Sequence, residues 1–188
     1  MSKPMILPRP AAQRGAALLV VLVLLLIMTV LGLSSLRGTL MNQRMAANTY
    51  DRNISLQAAE SALREGEAVV AAGTLPATSF TYPCTAGKCA QPTATAGNPD
   101  RWADPSFAGW QNGSMLSGDA NMTPQYFIEL MGNAPNWPGC DQEIPMHPNC
   151  LTPRYRITAR NLDPTGAGNS DRSLVVLQSN YAAALPSP

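Results

Sequence analysis

The sequence predicts an α+β fold in which one long N-terminal helix lies on a small antiparallel β-sheet interrupted by loop-rich insertions. Three observations carry this. Residues 16–33 form an unbroken apolar run, residues 34–72 hold no proline, and 14 of the 17 prolines with ten of the 14 glycines fall after residue 72. A length of 188 residues suits one domain plus an accessory element rather than two independent cores. Thirteen Lys and Arg against twelve Asp and Glu leave a net charge of +1, so no global field draws in nucleic acid or an acidic substrate. Charged residues are only 13% of the chain, about half the usual share, while 45% are hydrophobic. The apolar content is therefore concentrated.

It is concentrated in Ala16–Leu33, AALLVVLVLLLIMTVLGL, which is 18 residues without a charge and long enough to cross a bilayer as a helix. Thirteen of these are Leu, Ile or Val. They contribute on the order of −4 to −8 kcal/mol to insertion, more than Thr29 or Gly32 costs. Lys3, Arg9 and Arg14 precede the run with no acid among them, so residues 1–15 stay cytoplasmic and everything after the run is exported. A cleaved secretory signal is the alternative, but the run exceeds a signal core and passes through Gly32-Leu33-Ser34-Ser35 into a helical pattern without a stop.

Residues 34–72 are rich in good helix formers, so the membrane segment, 16–36, continues into one helix over 16–72, about 85 Å long. Leu56, Ala59, Leu63, Gly66 and Val70 recur at three- and four-residue steps and form its sticky stripe. Glu60 and Arg64 are an i,i+4 pair on a solvated face. Gly32 and Gly38 mark either close helix packing or a local melt. Gly73 followed by Pro76 ends the helix. A coiled-coil dimer competes, but apolar heptads are not sustained through Asn42–Asn53.

Residues 73–188 form the exported head. Tyr126–Leu130 reads as a strand, and Arg154–Ala159 with Ser173–Ser179 reads as a hairpin over 154–180, turned by Asp163–Asp171. Three or four antiparallel strands on the helix stripe would bury both faces. The final AAALPSP has nothing to pack against. All four cysteines lie on the exported side, where disulfides form. Of three possible pairings, Cys84–Cys89 with Cys140–Cys150 is favoured, because each closure staples a loop with little core of its own. Zinc held by these cysteines and His147 is the sharper alternative, but the C-x4-C and C-x9-C spacings do not fit the common knuckles. Oxygens of the 163–171 loop would suit Ca²⁺, yet Gly, Asn and Asp are also what a turn needs. His147 is the only histidine, and no nucleophile–base pattern, HExxH or phosphate loop accompanies it, so neither an enzyme nor a cofactor or metal is predicted. Trp102, Trp110 and Trp137 read as loop anchors, with an adhesive surface as the alternative.

Two stretches resemble one family. RGAALLVVLVLLLIMTVLGLSSLRGTLMNQRMAANTYDRNISLQAAESALREGE and RYRITARNLDPTGAGNSDRSLVVLQSNY are similar to the N-terminal region and closing strand pair of PilX-type minor type IV pilins. The resemblance implies a pilin-like fold and a role in starting pilus assembly. It implies that residues 1–15 are a prepilin leader, that prepilin peptidase cuts after Gly15, and that Ala16 becomes an N-methylated N-terminus. Typical pilins carry Glu at the fifth mature position; Val20 stands there instead. The implied partners are other minor pilins, the major pilin and the inner membrane, with no nucleic acid. The implied location is a single-pass, N-in inner-membrane protein with a periplasmic head, then the pilus. A tip pseudopilin of type II secretion and a single-pass anchored binding or adhesion module are the competing readings.

Overall fold

The computed structural model describes residues 15–73, 75–92, 100–115 and 122–182. The expected leader up to Arg14 and the tail from Ala183 lie outside the described residues. The chain divides into two compact units, 1–47 and 48–188.

Helix α1 runs from Ala16 to Ala71. It passes Gly32 and Gly38 without a break, so neither glycine melts it. It stops at Gly73, whose φ of +65° is open to glycine at little cost. The N–H of Gly73 bonds the Val70 carbonyl at 3.1 Å and closes the last turn.

Among the described residues of the second unit, five strands make one sheet: β1 Lys88–Cys89, β2 Gln111–Asn112, β3 Gln125–Pro135, β4 Leu151–Arg160 and β5 Val176–Ala182. Their order is β1-β3-β4-β5, with β2 also on β3. The sheet is mixed rather than purely antiparallel, because β1 pairs β3 in parallel. The chain turns at Gly87, whose carbonyl accepts the Ile128 N–H at 2.7 Å, and this return sets the direction of β1. The central strand β3 outruns the expected 126–130, bending between Leu130 and Gly132, where φ is +90° at the glycine.

The hairpin is present with shifted bounds. Ser173–Val175 leave the expected strand because other groups take their main chain. Asn161 donates its amide to the Ser173 carbonyl at 2.8 Å and accepts the Val175 N–H at 2.9 Å, and Asp51 accepts the Ser173 N–H at 2.9 Å. Pairing with β4 therefore starts at Val176 opposite Arg160.

The face that α1 gives to the sheet is built of small residues: Ser55, Ala58, Ala59, Ala62, Gly66 and Val70 are buried. Leu56, expected in that stripe, is 39% exposed. The bulk comes from the sheet instead, where Tyr126, Ile128, Tyr155, Ile157 and Ala159 form a core with Ala62, Val70 and Phe80. Small helix residues let the two layers approach. A Cβ on Gly66 would lie 2.8 Å from Ile157 Cγ2 and 3.2 Å from Tyr126 Cδ2.

The opposite face of the sheet buries charge. Glu129 is 1% exposed, and its carboxylate accepts from Arg101 Nη1 and Arg156 Nε, each at 2.6 Å. Arg156 stands directly across the ladder from Glu129. Arg101 also donates to the Ala90 carbonyl at 2.8 Å, which ties the 100–103 turn to the sheet. Beside this group, Phe107 and Trp110 meet Phe127 edge-on at 4.9 and 4.8 Å between ring centroids.

Two substitutions test this packing by urea unfolding of the detergent-solubilised chain. Gly66→Leu is expected to lose about 1–3 kcal/mol by overpacking. Glu129→Ala is expected to lose about 3–5 kcal/mol, since it strands two guanidinium groups.

Candidate assembly site

The apolar run lies at the start of α1. Ala16 is the first helical residue and Gly15 the turn before it. From Leu18 to Leu33 every large apolar side chain is exposed, from 47% at Ile27 to 70% at Met28, and Val20 is 55% exposed. An 18-residue window here has a mean hydropathy of 3.1. Water does not tolerate a contiguous apolar surface of this size, so it needs lipid or other apolar helices. The polar group inside the run is already satisfied, since Thr29 Oγ1 donates to the Leu26 carbonyl at 2.8 Å. Exposed apolar residues continue beyond the span with Leu40, Met41, Met45 and Tyr50.

The first turn of α1 contains no acid. A helix start presents unpaired N–H groups and the positive end of the macrodipole. Among the described residues, the first turns of α1 offer no side-chain charge to offset it.

In the second unit, Cys84 is bonded to Cys89 and Cys140 to Cys150. No thiolate is left to hold zinc. The Cys140–Cys150 loop is braced at its base by Asn136, whose amide donates to the Asn149 carbonyl at 2.7 Å while its main-chain N–H reaches the Cys150 carbonyl at 2.8 Å. Thr152 Oγ1 and Arg154 Nη2 both donate to Asn136 Oδ1, at 2.8 and 3.0 Å. At the loop tip Ile144 is 98% exposed. His147 packs edge-on to Trp137, and its Nδ1 accepts the Asn149 N–H at 3.2 Å, which is the role of a loop residue. Trp110 does anchor a loop, with Arg160 4.1 Å above its ring, whereas Trp102 stays 46% exposed. Glu60 and Arg64 meet at 3.8 Å, and the Arg64 side chain is 79% exposed, so that pair sits in solvent.

The acids that matter had no signal in helical spacing. Asp51 Oδ1 accepts from Arg172 Nε at 2.7 Å, a contact 121 residues apart in sequence. The Ser173 N–H most strongly, and Arg172 after it, hold the Asp51 carboxyl below the ordinary carboxylate value against desolvation, which raises it. In the 163–171 loop, Asp163 Oδ1 accepts from the Thr165 N–H at 3.0 Å and Thr165 Oγ1 at 2.8 Å. That main-chain bond lowers its pKa as well. The loop is a turn closed on its own carboxylate. Among the described residues no cluster of three or more His, Cys, Asp or Glu could hold a metal ion.

A long apolar N-terminal helix continuing into an α+β head, with the apolar part uncovered, is the architecture of a pilin-class subunit. Profile comparison specifies the class: the PilX N-terminal family matches residues 14–64, and the type IV pilus assembly protein PilX C-terminal family matches residues 51–183. The chain belongs to the PilX family of type IV pilus assembly proteins. Searches of curated proteins and of solved structures give no match.

Asp51 predicts a pH dependence. Its folded pKa is depressed, so its contribution is complete above the unfolded value, about 3.9, and is lost as pH falls through the folded value. The stability gap between wild type and Asp51→Asn is expected to be open at about pH 6 and to narrow as pH falls below the unfolded value and through the folded one, read from urea midpoints. Replacing both Cys140 and Cys150 by Ser is expected to cost about 2–3 kcal/mol in the same assay.

Proposed function

We propose that this chain is a minor pilin that takes part in initiating type IV pilus assembly, in a tip or priming complex with other minor pilins. The reading rests on PilX-family membership and on one observation: an uncovered apolar rod whose fifth residue after Gly15 is Val20 rather than an acid. Prepilin peptidase removes residues 1–15 and the amine of Ala16 is methylated. The rod stands in the inner membrane with its start at the cytoplasmic side and the head in the periplasm, where the four cysteines oxidise. It then slots beside the helices of other minor pilins and the major pilin, and the head reaches the cell surface with the filament.

Val20 sets the order of entry. Burying an unpaired ammonium among apolar helices costs several kcal/mol. A subunit without the acid cannot neutralise the amine of a neighbour that entered before it, but the acids of later subunits can neutralise its own. It therefore goes first. No step in this process calls on the chain for catalysis.

Mass spectrometry of protein isolated from envelopes should find a mature N-terminus at N-methylated Ala16; retention of residues 1–15 favours an anchored binding module instead. Co-isolation with secretion components in place of pilus components favours a type II tip pseudopilin. Val20→Glu is expected to shift the subunit away from the first position and to lower the number of pili per cell by roughly tenfold, counted by electron microscopy. Unchanged piliation and position would remove the basis for the order of entry.

A further inference from the structure

We infer that the cleft between the entry to β3 and the loop after β4 is a binding site for an N-acetylhexosamine, a neutral pyranose bearing one acetamide. The inference stands on its own observations and does not depend on the order of entry argued above. The cleft has a volume of about 370 Å³, near the small end of the range for small-molecule sites, roughly 300–1,000 Å³. Its described lining residues all belong to the second unit.

The polar side chains on its wall are held in place by one another. Arg160 lies over Trp110 and donates from Nε to Gln125 Oε1 at 2.8 Å. Gln125 Nε2 donates in turn to Asn112 Oδ1 at 2.7 Å. In the loop after β4, Asn169 Nδ2 donates to the Asp163 carbonyl at 2.8 Å, while Asp163 Oδ1 is taken by Thr165. Each bond uses one half of a side chain and leaves the other half. Among the described residues, Asn112 Nδ2, Asn169 Oδ1, Asp163 Oδ2 and Thr123 Oγ1 meet no partner. Fixed side chains with unused donors and acceptors suit a preorganised site, because a ligand then has little left to order.

The composition of the wall selects the ligand. Asp163 is the one carboxylate among the described lining residues, and none of them is Lys or Arg. The guanidinium of nearby Arg160 is already engaged by Gln125 and Asp163. A phosphate or sulfate would face that carboxylate with no free cation, and a hard divalent ion wants more charged oxygens than one side chain gives. A neutral ligand remains, rich in groups that both donate and accept. Sugar hydroxyls do both. The floor differs in kind, since Met122 and Leu162 are buried together in an apolar cluster. An acetamide matches this combination: its carbonyl can accept from Asn112 Nδ2, its N–H can donate to Asn169 Oδ1, and its methyl can cover the floor. Ring hydroxyls are left for Asp163 Oδ2 and Thr123 Oγ1. A peptide shares the amide but calls for an extended groove rather than a short cleft.

Saturation-transfer NMR tests this on the full chain in a detergent without a sugar head, with N-acetylglucosamine as the probe. Its acetyl methyl is expected to receive the strongest transfer, at a Kd on the order of 1 mM. Glucose, which lacks the acetamide, is expected to bind at least about tenfold more weakly. Asn112→Asp keeps the oxygen that Gln125 bonds and removes the Nδ2 donor, while Ala167→Trp fills the cleft without removing a bond. Each is expected to weaken binding about tenfold or more with an unchanged thermal unfolding midpoint. Two sources share this sugar, so chitotriose stands in for the glycan chain of a cell wall and methyl N-acetylgalactosaminide for the end of a surface glycan. The tighter of the two names the source. Absence of transfer to all of these acetamido sugars at about 10 mM overturns the inference. So does glucose or N-acetylalaninamide bound as tightly as N-acetylglucosamine, and so does binding that survives Ala167→Trp.

Discussion

The organisation of this protein follows from one constraint: the side chains between Ala16 and Leu33 have no stable place in water. Thirteen branched aliphatic residues within 18 positions of a single helix exclude every arrangement except burial in lipid or among other apolar helices. The rest of the chain is adapted to that requirement. The hydroxyl of Thr29 is spent on a carbonyl of its own helix, so it adds little to the cost of leaving water. Charges begin after the run, at Arg37. The residues able to form a water-soluble core are placed beyond residue 54, where α1 acquires a sheet to lie on.

The junction between helix and sheet shows how such a long helix also serves as a core element. A helix contributing leucines to the sheet would stand farther off and leave the large residues of β3 and β4 without depth to fill. Here the helix contributes almost no volume. Ala62 and Gly66 make a seat for Tyr126, Ile128 and Ile157, Ala58 packs with Met122 and Leu162, and the layers close to contact. Asp51 fastens the membrane-side end of that seat by holding Arg172 and the main chain of Ser173. Glu65 holds a further loop by accepting the Ser114 N–H at 2.8 Å, so acids on the flanks of α1 secure the connections on either side.

Much of this was legible in the sequence, because the relevant signals are local. An apolar run of fixed length, a proline-free stretch rich in helix formers and a strand-turn-strand pattern each depend on residues close together in the chain. What was not legible depends on pairings made at a distance. Leu56 was expected in the buried stripe because hydrophobicity ranks leucine above alanine and serine, but the sheet already supplies the bulk and selects small partners. The parallel pairing of β1 could not be read from two residues. Glu129 lay inside an expected strand, and the alternation YFIEL places it on the same face as Phe127; recognising its ion pairs also required the register that sets Arg156 opposite it. The exposed apolar run from Ala16 to Leu33 was legible, since exposure of an uninterrupted apolar helix follows from its composition.

The loop closed by Cys140 and Cys150 leads in a practical direction. Its backbone is tied at the base by Asn136 and by the sulfur bridge, while the tip at Ile144 touches nothing that the sheet requires. Foreign sequence grafted at that tip would inherit a rigid stem without disturbing the strands below. The loop is therefore a natural mount for a fluorophore or an epitope tag, through which the whereabouts of this subunit on living cells can be followed.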